Sequence, residues 1–367
     1  MSGLAIADIR AQFGRNEVLR GIDLAVAAGE TLVLFGPSGA GKTVLLRAIA
    51  GLEPGATGRV VIDGEDVSTH GPESRNIGMA FQNFALYPHL SARENIASPL
   101  RARGVSAGEI DARVGAIARL LRIAHVLSHP PRALSNGQKQ RTALARALIA
   151  EPRILLLDDP LRNVDAKLRY EMRLELPRLL RESNAATIYV TQDYREAMAL
   201  GDRVAVLQNG VIAQCGAADA VYDLPANREV ARLFGDPPIN LLPCRPQAAA
   251  GGIDIEAAGF RLRLGAREEA TGKDCLLGLR PETLSLSDHP IAGGVAADIV
   301  AITPLHERQV VLTRTAAGEE LVVSVAHDVP KAGSHVWLLA DPRAALVFEA
   351  SAGKLIQAPM AIRGCAA

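Results

Sequence analysis

The segment from Gly36 to Thr43 combines glycines, a lysine and a threonine at a spacing suited to binding phosphate. Its sequence, GPSGAGKT, fits the pattern G-x-x-x-x-G-K-[ST] in full. Glycines let backbone N–H groups turn inward around phosphate oxygens, and a helix that begins here adds its partial positive charge. Lys42 can reach the outer phosphates, and Thr43 can ligate Mg²⁺. The predicted phosphate-binding residues are Gly36, Pro37, Ser38, Gly39, Ala40, Gly41, Lys42 and Thr43.

A carboxylate follows a short apolar run further along the chain. Residues 153–158 read RILLLD, which predicts a buried strand ending in Asp158. At the carboxyl edge of a parallel sheet such an acid lies beside a phosphate-binding loop and can hold Mg²⁺ through water. A predicted strand over Thr31–Phe35 leads into the loop, and a predicted helix over Lys42–Ala50 follows it and ends at Gly51. The spacing therefore predicts a nucleoside triphosphate site with magnesium.

Two kinds of sequence pattern divide the chain of 367 residues. Up to about residue 235, short apolar runs alternate with longer amphipathic runs, which indicates a parallel α/β sheet covered on both faces. The segment GDPPIN at 235–240 predicts a linker. Beyond it, short runs separated by turns predict an all-β module, most simply a small barrel. In the first part, Ala107–Leu121 and Gln138–Ala150 are amphipathic runs and Ile154–Leu157 is a short apolar run. In the second part, the short runs are Ile253–Leu264, Leu276–Leu279, Ala296–Ile302, Gln309–Thr315, Glu320–Val325 and Val336–Leu339. We therefore expect domains over 1–235 and 236–367.

The composition argues against several classes of protein. Lys plus Arg and Asp plus Glu both number 40, and aromatic residues make up 4% of the chain. A chain without net charge lacks the positive electrostatic potential that attracts nucleic acid, and one with few aromatic residues lacks a surface on which bases can stack. No apolar run approaches the roughly 18 residues of a membrane helix, and the first residues do not resemble a signal peptide. We expect a cytoplasmic chain with reduced cysteines that meets a membrane only through partner proteins.

Further motifs resemble those of ABC transporter ATPases, in the family's order and spacing. They are FQNFALYPHLS at 81–91, like the importer Q-loop, LSNGQKQR at 134–141, like the LSGGQ signature, LRNVDA at 161–166, like the D-loop, and TIYVTQD at 187–193, like the switch strand that normally ends in His. This resemblance spans about 1–240. It implies a P-loop NTPase fold with a helical subdomain at about 84–150. Residues 278–282 and 336–348 resemble the C-terminal regulatory barrel, an OB-like (TOBE) domain, of carbohydrate importer ATPases such as that of the maltose importer.

The resemblance implies that ATP and Mg²⁺ bind between two ATPase subunits. In the family, the signature of one subunit faces the γ-phosphate held by the other. Ser135 can cap the signature helix and leave its first amides free for an anion. Gln82 would ligate Mg²⁺ with Thr43 and Asp158, take part in catalysis and couple the nucleotide to the membrane subunits. The further residues implied at the nucleotide are Ser135, Asn136, Gly137, Gln138 and Asp165. Phe13 matches the aromatic residue that stacks on adenine in the family, but it could equally be a core side chain.

The resemblance also implies partners and a place in the cell. They are a second ABC ATPase subunit, two membrane permease subunits and, indirectly, a solute-binding protein. Nucleic acid is not among them. The chain would lie peripherally on the cytoplasmic face of the bacterial inner membrane. There it would power the import of a sugar, a polyol or a related solute.

Three positions depart from the family pattern. Asp159 stands where hydrolysing members carry the Glu that positions the attacking water, and a shift of about 1 Å in such a group costs roughly 10²-fold in rate. Gln192 stands for the switch His and carries no charge; losing one well-placed donor costs on the order of 10²–10³ in turnover. Asn136 replaces the first signature Gly, and Asn tolerates positive φ. We expect good ATP binding with slow hydrolysis, and a heterodimer with a more competent ATPase is favoured over a homodimer.

Three functions compete for this sequence. The leading one is the energising ATPase of a solute importer. The alternative is a nucleotide-gated regulatory subunit with little ATPase activity of its own. A soluble ABC ATPase of DNA repair or translation is the third, and the importer-like Q-loop and the β-rich C-terminal part argue against it. An exporter is a less expected class, because exporters usually carry a fused membrane domain and this sequence contains no apolar run long enough for a membrane helix.

Overall fold

The computed structural model describes residues 3–162, 164–265, 270–305, 308–326 and 329–357. They form two compact units, Met1–Ala218 and Asp219–Ala367. The sequence-based boundary at residue 235 lies downstream of this division. The segment 235–240, which the sequence indicates as a linker, consequently falls inside the second unit. None of the described helices is both long and apolar enough to cross a membrane.

The first unit contains two β-sheets. Its strands are β1 Gly3–Phe13, β2 Asn16–Ala27, β3 Thr31–Phe35, β4 Ala56–Ile62, β5 Glu65–Asp66, β6 Ile77–Ala80, β7 Ile154–Asp158, β8 Ala186–Thr191, β9 Arg203–Gln208 and β10 Val211–Gly216. One sheet has the order β10-β9-β3-β8-β7-β6 and is parallel except for β10. The other has the antiparallel order β2-β1-β4-β5. The parallel α/β sheet is as predicted, whereas the antiparallel sheet was not foreseen from the sequence.

A single apolar core joins the two sheets of the first unit. Every residue of β3 and of β7 is buried, as their runs of four consecutive apolar residues predict. Helix α1, Lys42–Ile49, contributes Leu45, Leu46 and Ile49 to the core that both sheets share. Helix α1 therefore packs on residues from both sheets directly after the loop between β3 and α1.

The helices of the first unit lie in two groups. The predicted helical subdomain contains α2 Ala92–Ala102, α3 Ala107–Leu120 and α4 Asn136–Leu148. Serine residues begin all three helices, since the side chains of Ser91, Ser106 and Ser135 accept hydrogen bonds from the first turns. The helices α5 Ala166–Glu182 and α6 Tyr194–Leu200 connect the strands that follow β7.

The second unit begins with short helices and continues as the predicted β-rich domain. Its elements are α7 Ala218–Asp223, α8 Arg228–Leu233, β11 Asn240–Cys244, β12 Gln247–Ala249, β13 Gly252–Ala257, β14 Phe260–Gly265, β15 Cys275–Leu279, β16 Leu284–Ser287, β17 Val295–Leu305, β18 Arg308–Thr315, β19 Glu320–Val325, β20 His335–Ala340, β21 Leu346–Glu349 and β22 Leu355–Gln357. They form the sheets β11-β15-β21-β22, β12-β13-β14 and β16-β20-β17-β18-β19. The run Ile253–Leu264 is two strands and not one, because Ala258 (φ 50°) and Gly259 (φ 90°) reverse the chain.

Candidate nucleotide-binding site

The loop between β3 and α1 needs glycine at two positions. A Cβ atom at Gly36 would lie 2.3 Å from the carbonyl oxygen of Leu207. Gly41 has a φ of 101° and begins α1, and a Cβ atom there would lie 3.0 Å from Leu19 Cδ2. The strand, loop and helix expected from the sequence are all present. The loop therefore passes closely over neighbouring backbone and leads directly into a helix N-terminus, a geometry suited to binding anions.

Lys42 is buried within this loop. Its ammonium group donates hydrogen bonds of 2.7 Å to the carbonyl oxygens of both Gly36 and Pro37. Burial lowers the pKa of Lys42, and the nearby carboxylates of Asp159 and Asp158 oppose this shift. The loop thus fixes one cationic side chain next to two acids.

Thr43 and Asp158 meet across the site. The Thr43 hydroxyl donates a hydrogen bond of 2.9 Å to Oδ2 of Asp158. Asp158 is the last residue of the buried strand β7, and burial raises the pKa of its carboxyl group, against the effects of Thr43 and Lys42. A hydroxyl beside one carboxylate, next to a phosphate-binding loop, is a donor set that fits Mg²⁺, which commonly shares its ligands with phosphate.

A cavity of about 680 Å³ opens at this point of the sheet edge. It brings together Thr43, Gln82 and Asp158, the predicted magnesium ligands. Its lining residues are Thr43, Arg47, Leu52, Phe81, Gln82, Asn83, Ala85, Asp158 and Arg162. The two arginines were not expected from the sequence, although Arg162 lies inside the D-loop segment, where its charge is visible.

Asp159 is held rigidly by its backbone. Its N–H donates to the carbonyl of Val190 at 3.0 Å, and its carbonyl accepts from the side-chain amide of Gln140 at 3.0 Å. Its φ is 50°, a left-handed conformation that Asp tolerates better than most residues. Its carboxylate lies 3.7 Å from the guanidinium of Arg162, and burial raises the pKa of this carboxyl group. Gln140 was missed because only folding brings it to Asp159, whereas Arg162 lies three residues after Asp159 and was overlooked although its charge is visible in the sequence.

Gln192 lies at the same edge of the sheet. It is exposed and directly follows β8, whose Val190 is paired with Asp158 of β7. Parallel neighbouring strands therefore deliver positions 158, 159 and 192 to one region. The roles of Asp159 and Gln192 in hydrolysis stay predictions.

Ser135 caps the signature helix as predicted, but α4 begins at Asn136, two residues before the predicted start at Gln138. Ser135 and Gln138 form a capping box, in which the Ser135 hydroxyl accepts from the Gln138 N–H at 3.3 Å and the Gln138 side chain accepts from the Ser135 N–H at 2.9 Å. Asn136 is the first residue of α4, and its φ is not positive. The expectation that Asn serves here through its tolerance of positive φ is therefore wrong, since the backbone is helical.

The remaining predicted site residues lie outside the cavity lining. Gly137 follows Asn136 in the first turn of α4. Asp165 is exposed just before α5, and its carbonyl accepts from the Arg169 N–H at 2.8 Å. Phe13 ends β1 with 48% of its surface exposed, so the core alternative for it is wrong. Contact of Phe13, Gly137 and Asp165 with nucleotide stays a prediction.

Arg146 of α4 connects the signature helix to the Q-loop. Its guanidinium donates to the carbonyls of Ala85 at 2.9 Å and Phe84 at 3.4 Å, two residues with φ of 45° and 65°. It also lies 5.4 Å from the ring centre of Tyr87. The Q-loop conformation thus depends on a side chain from another element, which a linear motif does not reveal.

A parallel sheet, a glycine-containing loop with buried Lys42 and the Thr43–Asp158 contact together define a P-loop nucleotide-binding domain. Two protein-family models match this chain and show which P-loop family it resembles. The family model described as ABC transporter matches residues 19–162, and the TOBE domain model matches residues 277–348.

Similar proteins cover nearly the whole chain. The sn-glycerol-3-phosphate import ATP-binding protein UgpC of Cereibacter sphaeroides is 40% identical over 355 residues, which are 96% of this chain and 99% of that protein. The UgpC protein of Salmonella typhimurium is 40% identical over 359 residues, 97% of this chain and 100% of that protein. The solved dimeric structure of the ATP-binding cassette MJ0796 with ADP and Pi is 28% identical, with a TM-score of 0.55, over 59% of this chain and 98% of that one.

This chain belongs to the ABC transporter family. It is an ATP-hydrolysing subunit of an importer of the carbohydrate-uptake type, with a TOBE domain after its nucleotide-binding domain. The soluble ABC ATPase of DNA repair or translation finds no support in these relatives.

Proposed function

We propose that this chain binds ATP as its magnesium complex at the P-loop and uses its hydrolysis to drive solute import. The contact between Thr43 and Asp158, beside the buried ammonium of Lys42, carries the proposal. Thr43, Asp158 and Gln82 would hold Mg²⁺, which supplies charge neutralisation at the phosphates. Lys42 and the loop amides would bind the outer phosphate oxygens.

Two residues at the sheet edge would serve the hydrolytic step. Asp159, with its backbone fixed by Val190 and Gln140, would orient the attacking water and take up its proton. Gln192 would donate a neutral amide hydrogen bond to the terminal phosphate. Because Asp159 is shorter than Glu and Gln192 is uncharged, we expect hydrolysis well below the rate of a Glu- and His-bearing site. If hydrolysis is very slow, this chain would act as the alternative, a nucleotide-gated regulatory subunit with little ATPase activity of its own.

Nucleotide would bind between two ATPase subunits, with Ser135–Gln138 of one subunit facing the phosphates held by the other. The heterodimer that the altered residues favour finds no support among the relatives. The neighbour MJ0796 is described as a dimer of one cassette. We therefore propose a homodimer in which both sites carry Asp159 and Gln192. Native mass spectrometry of the complex tests this, and one copy of the chain beside a different ATPase would restore the heterodimer.

The partners follow from the family. The dimer would lie on the cytoplasmic face of the cell membrane and act on two permease subunits, with a solute-binding protein presenting the solute outside. The relatives are named for sn-glycerol-3-phosphate import. A phosphorylated polyol is therefore the first solute to test, ahead of sugars and free polyols.

Binding and hydrolysis by the purified chain test the nucleotide site. We expect Lys42→Ala to weaken ATP binding about 10- to 100-fold, the size of one or two charge-assisted hydrogen bonds, and to abolish turnover. Lys273→Ala, an exposed lysine of the second unit, is the control and should change neither. Equal ATP affinity in the Lys42→Ala and control variants would overturn the proposed site.

A further inference from the structure

We propose that Arg162 is a positioning residue of this site, which holds the Asp159 carboxylate and contacts the terminal phosphate of ATP. The inference rests on the proposed function, because it requires ATP in the cavity that Arg162 lines. The geometry that carries it is the position of one guanidinium between Asp159 and the cavity that also holds Thr43 and Asp158.

The backbone turn after β7 fixes where Arg162 lies. Its N–H donates to the carbonyl of Asp159 at 3.2 Å, and its own carbonyl accepts from the Arg169 guanidinium at 3.0 Å. Asp159 is in turn tied to Val190 and Gln140. The segment therefore holds the arginine three residues after the proposed water-orienting acid.

Among the described residues, the only ionic partner of the guanidinium is Oδ2 of Asp159 at 3.7 Å, which is an ion pair without a hydrogen bond. Its N–H donors therefore make no side-chain hydrogen bond within that part of the chain. Half of the Arg162 side chain is exposed, and it lines the cavity. Arginine carries five N–H donors in a planar fork that matches phosphate oxygens. A phosphate group that enters the cavity could therefore accept hydrogen bonds from the Arg162 guanidinium.

The charges around the cavity favour this use. Lys42 and Asp159 lie within electrostatic reach of Arg162, Asp158 lines the same cavity, and Arg169 lies near Asp159. Arg162 is close enough to lower the pKa of Lys42 and to oppose the rise in the pKa of Asp159. A cation here would stabilise charge at the end of the triphosphate, where Gln192 contributes none.

Arg162 would therefore distinguish ATP from ADP. Its contact is with the phosphate that ADP lacks, whereas Lys42 and the loop amides also contact phosphates that both nucleotides share. The affinity ratio of ATP to ADP consequently reports on Arg162, and it does not depend on the fraction of correctly folded protein. The ratio can be measured with Mg²⁺ present and with it chelated, which separates the contribution of Arg162 from that of the metal.

Titration calorimetry of ATP and ADP with wild type, Arg162→Ala and Arg162→Lys tests the inference, together with steady-state hydrolysis. We expect Arg162→Ala to weaken ATP about tenfold and ADP less than about threefold, and to lower kcat more than it raises KM. Arg162→Lys should regain part of the affinity ratio, since it keeps the charge but loses the fork.

Arg178→Ala is the matched control. Arg178 is an exposed arginine of α5 that pairs with Glu182 at 2.7 Å and does not line the cavity. Its loss should leave the ATP to ADP ratio unchanged. If the wild type prefers ATP and Arg162→Ala keeps the same ratio, the inference is overturned while the proposed function stands. If the wild type binds neither nucleotide, the proposed function itself fails.

Discussion

Lengthening the Asp159 side chain by one methylene tests whether its position limits hydrolysis. Asp159→Glu places the carboxylate about 1 Å further from the backbone. A displacement of that size is worth up to about 10²-fold in rate. The backbone of Asp159 cannot shift to compensate, because both its N–H and its carbonyl are hydrogen-bonded. We therefore expect kcat to rise about 10- to 100-fold in Asp159→Glu and further in Asp159→Glu/Gln192→His.

The same substitution should cost stability. At a φ of 50°, Glu is less well tolerated than Asp, and the left-handed penalty is about 1 kcal/mol. For a unit of this size that corresponds to a fall in Tm of about 2–4 °C. Faster turnover in a less stable protein is a combined signature that improved folding would not produce.

The assay is steady-state phosphate release at saturating Mg-ATP, with thermal unfolding of the same samples. Asp159→Asn is the matched control, since Asn tolerates the same φ but cannot take up a proton, and it should fall below wild type. The reasoning is refuted if Asp159→Glu binds ATP normally and turns over no faster than wild type. In that case the shorter acid is not what limits the rate.

Three further results follow from the same contacts. Asp158→Asn should leave metal-free ATP binding within about threefold of wild type but remove the gain in affinity on adding Mg²⁺, measured by calorimetry. Arg146→Ala removes the hydrogen bond to Ala85, and faster amide exchange in the Q-loop should follow, with ATP affinity little changed; unchanged exchange would show that the loop holds its shape unaided. Burial raises the pKa of Glu196, which accepts from Tyr189 at 2.9 Å, so folded stability is lost as pH rises through that raised value. Glu196→Gln should therefore gain Tm over wild type at about pH 8 but not at about pH 4, and an equal gain at both would contradict this cause.

The sequence predicts local elements well where local signals dominate. Strand β3, the glycine-containing loop and α1 follow from adjacent residues, and the structure agrees with their bounds within one residue. The helix cap predicted at Ser135 is likewise present, and the structure adds the reciprocal bond of the Gln138 side chain. These features depend on contacts between neighbours in the chain, which is why spacing alone is informative.

Other features depend on contacts that the sequence does not record. The ion pair between Arg162 and Asp159 requires the turn after β7, and the Arg146 contacts require α4 to pack beside the Q-loop. The strand break at Ala258 was hidden because an alternating pattern continues on both sides of a tight turn. In the antiparallel sheet of the first unit, the pairing of β1 with β4 escaped because it joins segments that are distant in sequence, whereas β1–β2 and β4–β5 are hairpins between consecutive strands.

Solute uptake into proteoliposomes shows whether this chain powers import. The complex would be purified with the permease subunits that accompany this chain, and uptake of labelled sn-glycerol-3-phosphate would be measured with Mg-ATP on the side of the ATPase. We expect uptake that requires ATP, that is lost in Lys42→Ala and that persists in the Lys273→Ala control. Uptake that proceeds equally without ATP or with Lys42→Ala would contradict this expectation.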